Sequence, residues 1–227
     1  FVQSPNGGGI ITPKFLVMHF TAGFAAKEAV NHFLNPDSKV SAHIILDRDG
    51  ALTQMVPFNQ RGWHVGKSFW RGYSGLNDSS IGIEVVNYGP TPLSTADGAS
   101  PLTREGRKFP GDVGDADGWV RAEHPLEKGR FQWWQKYTDR QLEVLDILTP
   151  LIVDTYNIRE VVGHEEVAIP TGRKTDPGPL FPLSLYKQYA EHGNAASEGR
   201  YVVVTDDLNM RGGPSPQYTS IAKLSRG

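Results

Sequence analysis

Residues 14–20, KFLVMHF, form a nearly unbroken apolar run. A strand with one wet face alternates apolar and polar residues, so a run without alternation reads as a strand buried on both faces. Both faces then need cover. AAKEAVNHFL (25–34) places Ala26, Ala29, Val30 and Phe33 on one side of a short amphipathic helix. SAHIILDRDGALTQMVP (41–57) reads as a hairpin about an Asp49-Gly50 turn, and SIGIEVVNYG (80–89) as another apolar strand. TDRQLEVLDILTPLIVDTYN (138–157) is the strongest helix: Thr138 and Gln141 make a capping box, and Leu142, Leu145, Leu148, Ile152 and Tyr156 line one face. Pro150 is expected to kink or split it. REVVGH (159–164) reads as a short strand and PLSLYKQYAEHG (182–193) as a last helix with a glycine stop. Strands interleaved with helices predict an α/β fold, a central mixed β-sheet flanked by helices, with functional groups at the carboxyl ends of its strands.

Two stretches stand apart. Residues 89–130 are rich in Gly, Pro, Asp and Ser without a clear period, and are read as a long loop or insertion. GNAASEG (193–199) reads as a linker, dividing a main domain, 1–194, from a segment, 195–227, that holds the linker and a small truncated β unit. Residues 200–227 have strand, turn, strand patterning but too few residues for a core of their own.

Composition narrows the functions. With 38% hydrophobic and 21% charged residues the chain can bury a core. A net charge of −2 argues against a nucleic-acid partner and against attraction to anionic lipid. No apolar run reaches the roughly 20 residues of a membrane span. The 227 residues include no cysteine, which excludes disulfides, thiolate metal ligands and a cysteine nucleophile. A metal site must therefore use histidine and carboxylate. The start at Phe1 rather than Met suggests removal of an upstream segment, either a signal peptide or a trimmed end.

His19 ends the first strand, Glu84 lies in the strand at 80–89, and His164 follows REVVGH. His164, Lys174 and Asp176 share GHEEVAIPTGRKTDPGP (163–179), a stretch with little to bury. His19, His164 and Asp176 make a three-ligand set of the kind a catalytic zinc uses, with a fourth position open to water. Spacing alone supports this weakly, and His19 taken alone reads as a core histidine. FLVMHFTAG, SAHIILDRDG, RGWHVG, LNDSSIGIEVVN and VVGHEEVAIPTGRKTDPGP, in that order, resemble the zinc-dependent N-acetylmuramoyl-L-alanine amidases. That family (amidase type 2) is shared by phage lysins, cell-wall recycling amidases and peptidoglycan recognition proteins. The resemblance runs from about Ser4 to Tyr189, and GRKTDPGP is its most specific part. LNMRGGPSP (208–216) resembles the first half of a bacterial SH3-type domain.

The resemblance implies one zinc on His19, His164 and Asp176, Glu84 as general base and Lys174 as oxyanion stabiliser. It implies hydrolysis of the amide between the lactyl group of N-acetylmuramic acid and L-alanine. The competing functions are a non-catalytic peptidoglycan-binding module and a zinc peptidase cutting within the stem peptide. Peptidoglycan or muropeptides would be the partner, the protein a monomer, and its place extracytoplasmic, with a cytoplasmic recycling or phage-encoded enzyme as the alternative. His64 and Trp63 are candidate substrate-binding residues, Trp63 also reading as packing. His43 is open between core and site, while His32, His124 and His192 read as surface. Glu84 also reads as an ion-pair partner of Lys174, while Arg173 reads as a surface charge and Lys174 beside it as another. Ala42 stands where many relatives carry a tyrosine. Trp119, Trp133 and Trp134 would let the insertion wall the substrate groove.

Overall fold

The computed structural model describes residues 1–109 and 118–191, and the backbone of 208–211 and 220–224. In chain order the main domain holds β1 (Phe15–Phe20), α1 (Ala26–Leu34), β2 (Ile44–Leu46), β3 (Leu52–Gln54), β4 (Phe69–Trp70), β5 (Tyr73–Ser74), β6 (Ser80–Val85), β7 (Pro90–Thr91), β8 (Trp119–Glu123) and β9 (Phe131–Gln135). After these come α2 (Asp139–Tyr156), β10 (Glu160–Gly163), the single turn α3 (His164–Val167) and α4 (Leu183–Glu191). The main sheet has the order β10-β1-β6-β2-β3. Its first four strands run parallel, and β3 returns antiparallel through the expected hairpin. The sheet is therefore mixed, as the alternation of elements predicts.

Both faces are covered. Leu16 and Met18 of β1, with Ile81, Ile83 and Val85 of β6, pack against Val144, Leu145, Leu148 and Ile152 of α2 and Tyr186 of α4. The alternate residues Phe15 and Val17 pack against Val162 and Val167 on the other side. On that side α1 buries Ala26 and Phe33 against Ala42, Ile45 and Met55. His19 and Glu84 continue this second face. Ala42 is thus a core residue.

Helix α2 has the capping box: Thr138 Oγ1 accepts the Gln141 N–H, and the Gln141 side chain accepts the Thr138 N–H. Pro150 does not split it; the helix runs unbroken from Asp139 to Tyr156. A mid-helix proline costs about 3 kcal/mol. Each large apolar side chain buried returns about 1.5–3 kcal/mol, and α2 buries Val144, Leu145, Leu148, Ile152 and Val153.

The insertion is more ordered than expected. Its described part contains a three-stranded antiparallel sheet, β7-β9-β8. Trp119 packs with Tyr88 and Phe109, and Trp133 packs against them. Residues 208–211 and 220–224 pair as antiparallel strands β11 and β12, in keeping with the strand, turn, strand pattern. The linker, the 194/195 boundary and His192 lie outside the described residues. Among the described residues no helix is long and apolar enough to cross a membrane.

Candidate metal centre

Strand register assembles the site. His19 of β1 pairs with Glu84 of β6, and Met18 pairs with Gly163, so His164 begins α3 beside His19. Three chemically active side chains thus meet at the carboxyl ends of parallel strands, where such sheets place their sites. Asp176 arrives on the loop before α4. Its carbonyl accepts the Glu165 N–H at 2.8 Å.

His19 Nδ1 lies 3.0 Å from His164 Nδ1 and 3.0 Å from Asp176 Oδ2, and His164 Nδ1 lies 2.9 Å from Asp176 Oδ2. The three residues are buried at 1%, 2% and 6% exposure. Among the described residues they form the one cluster of His, Cys, Asp and Glu able to hold a metal ion.

The other ring nitrogens say which protons are present. His164 Nε2 faces the Val65 carbonyl at 3.0 Å. A carbonyl only accepts, so Nε2 carries a proton, and the ring in its metal-binding form presents a lone pair on Nδ1. Ser80 Oγ donates to Leu76 O at 2.7 Å, leaving it to accept from His64 Nε2 at 3.2 Å. His64 Nδ1 is then an acceptor, and His19 Nε2–H donates to it at 2.9 Å. His19 Nδ1 is left with its lone pair. Burial, with the charge of His164 second, holds the His19 pKa down to about 4, so its ring is neutral at pH 7. With both rings in the form that binds a metal, two imidazole lone pairs and a carboxylate oxygen face one point. That arrangement is repulsive unless a cation sits between them, and tetrahedral zinc ligands at about 2.0–2.2 Å lie about 3.3–3.6 Å apart, a few tenths of an ångström wider than the atoms stand here. The donor set fits zinc.

A cavity of 420 Å³ opens over these atoms, lined also by Glu84, Lys174, Trp63 and His64. Glu84 Oε2 is buried without a hydrogen-bond partner. Burial, reinforced by Asp176 and opposed by Lys174, pushes the Glu84 carboxyl well above the usual carboxylate range. No ion pair joins Glu84 to Lys174 among the described residues. Both ring nitrogens of His64 are engaged within the protein, so only its ring edge is left to a ligand. A Cβ on Gly82 would collide with that ring, so glycine is required where His64 lies flat on β6. His43 is a core residue: Nδ1 accepts the Gly82 N–H and Nε2–H donates to Gln60 O, each at 2.9 Å.

Three expectations need correction. His124 is fully buried, not at the surface. Trp119 and Trp134 are core residues, and neither they nor Trp133 line the cavity; their rings are needed to close the inserted sheet. Arg173 is more than a surface charge, since its guanidinium donates to Ile169 O, Val65 O and Lys67 O. His32 is exposed as expected, yet with Glu28 it lines the outer wall of the cavity. The Ser80 and Val65 partners were not foreseen, because a hydroxyl in a strand and a backbone carbonyl leave no signal in a sequence.

The family described as N-acetylmuramoyl-L-alanine amidase (Amidase_2) matches residues 11–179. The chain is 30% identical over 151 residues to the 1,6-anhydro-N-acetylmuramyl-L-alanine amidase AmpD of Escherichia coli K12, covering 66% of this chain and 57% of that protein. It is 29% identical over 193 residues to the N-acetylmuramoyl-L-alanine amidase AmiD of the same organism, covering 81% and 54%. The chain thus spans little more than half the length of these curated relatives. The solved complex of E. coli AmiD with anhydro-N-acetylmuramic acid-L-Ala-D-γ-Glu-L-Lys superimposes with a TM-score of 0.55 at 26% identity, over 80% of this chain and 58% of that one.

Proposed function

The chain belongs to the N-acetylmuramoyl-L-alanine amidase family, and from that premise we propose that it hydrolyses the amide between N-acetylmuramic acid and L-alanine in peptidoglycan. In this reading one zinc is held by His19, His164 and Asp176. The observation that carries it is the set of three buried donor atoms within 3.0 Å of one another, with Glu84 and Lys174 lining the same cavity. Bound there, zinc supplies a Lewis acid that makes water nucleophilic near neutral pH.

Glu84 takes the proton of the attacking water and delivers it to the departing alanine nitrogen. Its raised pKa suits this double duty, because burial makes the carboxylate a stronger base toward the attacking water and it can return the proton to the leaving nitrogen. Lys174 faces the oxygen that gains charge; one fixed donor of this kind is typically worth about 3–4 kcal/mol. Trp63 and the edge of His64 supply wall to the bound muropeptide. A pure binding module would have no use for a buried base and a cation beside the metal. On the likeness of LNMRGGPSP alone, 195–227 is read as an SH3-type wall-targeting segment, and with it action outside the cytoplasm.

Mass spectrometry of products from purified sacculi tests the reaction. The amidase releases intact stem peptides with free L-alanine amino termini. Fragments cut within the stem would make the protein a peptidase, and no release would return it to a binding module.

A further inference from the structure

The inserted sheet reaches the Asp176 loop through a chain of buried contacts. His124, just past β8, has 0% exposure in an otherwise polar turn. The Leu126 N–H donates to its Nδ1 at 3.1 Å, so Nε2 carries the proton and donates to Glu165 Oε2 at 2.8 Å. The same carboxylate oxygen accepts the Gly178 N–H at 3.1 Å. Trp134 of β9 stacks on the His124 ring (5.6 Å, 26°) and lies against Gly178, where an added Cβ would come 2.6 Å from the indole. The Tyr137 hydroxyl donates to Pro177 O at 2.8 Å.

The ligands differ in how they are supported. His19 stands in a strand and His164 at the start of a helical turn, so the main sheet fixes both. Asp176 stands on irregular chain, with no ladder to hold it. Residues 176, 177 and 178 are instead gripped one after another by Glu165 N–H, Tyr137 and the Glu165 carboxylate. A buried His–Glu pair is costly unless every polar atom is satisfied, and an apolar pair would fill the space as well. Here both nitrogens of His124 are used, and the Glu165 oxygen that Nε2 meets also holds the ligand loop.

We propose that His124 and Glu165 form a clasp through which the inserted sheet holds Asp176 in its ligating position, making His124 a positioning residue. The clasp rests on the reading of His19, His164 and Asp176 as metal ligands. Outer partners of this kind typically change metal affinity about 10–100-fold.

The test compares wild type, His124→Gln and His124→Leu as metal-free proteins. Glutamine keeps an N–H donor near the Nε2 position, whereas leucine keeps volume and drops the donor. Each is titrated with Co²⁺, followed by visible absorption, and with Zn²⁺ against a chromogenic chelator. Leucine is expected to lower affinity about 10–100-fold and weaken the cobalt bands, while glutamine restores both. In metal-free wild type, the Gly178 amide is expected to exchange with deuterium as slowly as those of β9. Equal affinities in the leucine and wild-type proteins would overturn the clasp alone. Rapid exchange at Gly178 would also overturn it, whether or not the leucine protein folds. Wild type that takes up neither ion would overturn the ligand reading together with the clasp.

Discussion

At His19 the two ring nitrogens have separate duties: Nε2 is anchored through His64 and Ser80 to the Leu76 carbonyl, and Nδ1 faces the metal position. Glu84 beside it is a carboxylate held under penalty. Its pKa is raised, so a stability cost enters as pH climbs past the ordinary carboxylate value of 4.5. Glu84→Gln is therefore expected to make the metal-free protein more stable to urea at pH 7, with no difference below about pH 4.5. The same variant is expected to lose about 10²–10⁴ in kcat while still binding zinc. Unchanged turnover would remove Glu84 from its role. His43 behaves in the opposite sense. Burial holds its pKa down to about 4 from 6.5, so the folded state refuses a proton that the unfolded chain accepts. Its contribution is present above pH 6.5 and lost as pH falls toward 4, about 3 kcal/mol in all. Unfolding measured across that window should show a slope in wild type that becomes shallower in His43→Gln, with His19 and His64 supplying the remainder.

Helix α2 shows how far pattern carries and where packing takes over. Thr138 both receives the Gln141 N–H and donates to Arg48 O at 2.7 Å, tying the helix start to the β2–β3 turn. Thr138→Ala should cost about 1 kcal/mol, seen as a melting temperature lowered by about 2–4 °C, with zinc affinity unchanged. The capping box and the apolar face were legible because both are local. Pro150 leaves the helix unsplit because its cost is local and the compensation lies in the core across the sheet. The inserted sheet was missed for a related reason: β7 has two residues, and β9 buries Gln132 and Gln135 where an inward-facing strand would show apolar residues. Gln135 is buried because its Oε1 accepts the Tyr88 N–H, joining the insertion to the end of β6.

Across the chain, the site is a consequence of parallel strand register: His19, Glu84 and His164 come together because β1, β6 and β10 end in step. The strand runs and the GRKTDPGP loop made this much of the site legible. His124 was not, since nothing in HPLEKG marks one side chain as buried; its role follows from Glu165 of α3, 41 residues away, whose carboxylate holds the ligand loop. The account as a whole depends on a cation shared by three side chains. Crystals grown with zinc should give one anomalous peak at the zinc edge, about 2.0–2.2 Å from His19 Nδ1, His164 Nδ1 and an Asp176 carboxylate oxygen. A fully zinc-loaded crystal with no peak among those three atoms, or with the peak at other residues, would contradict it.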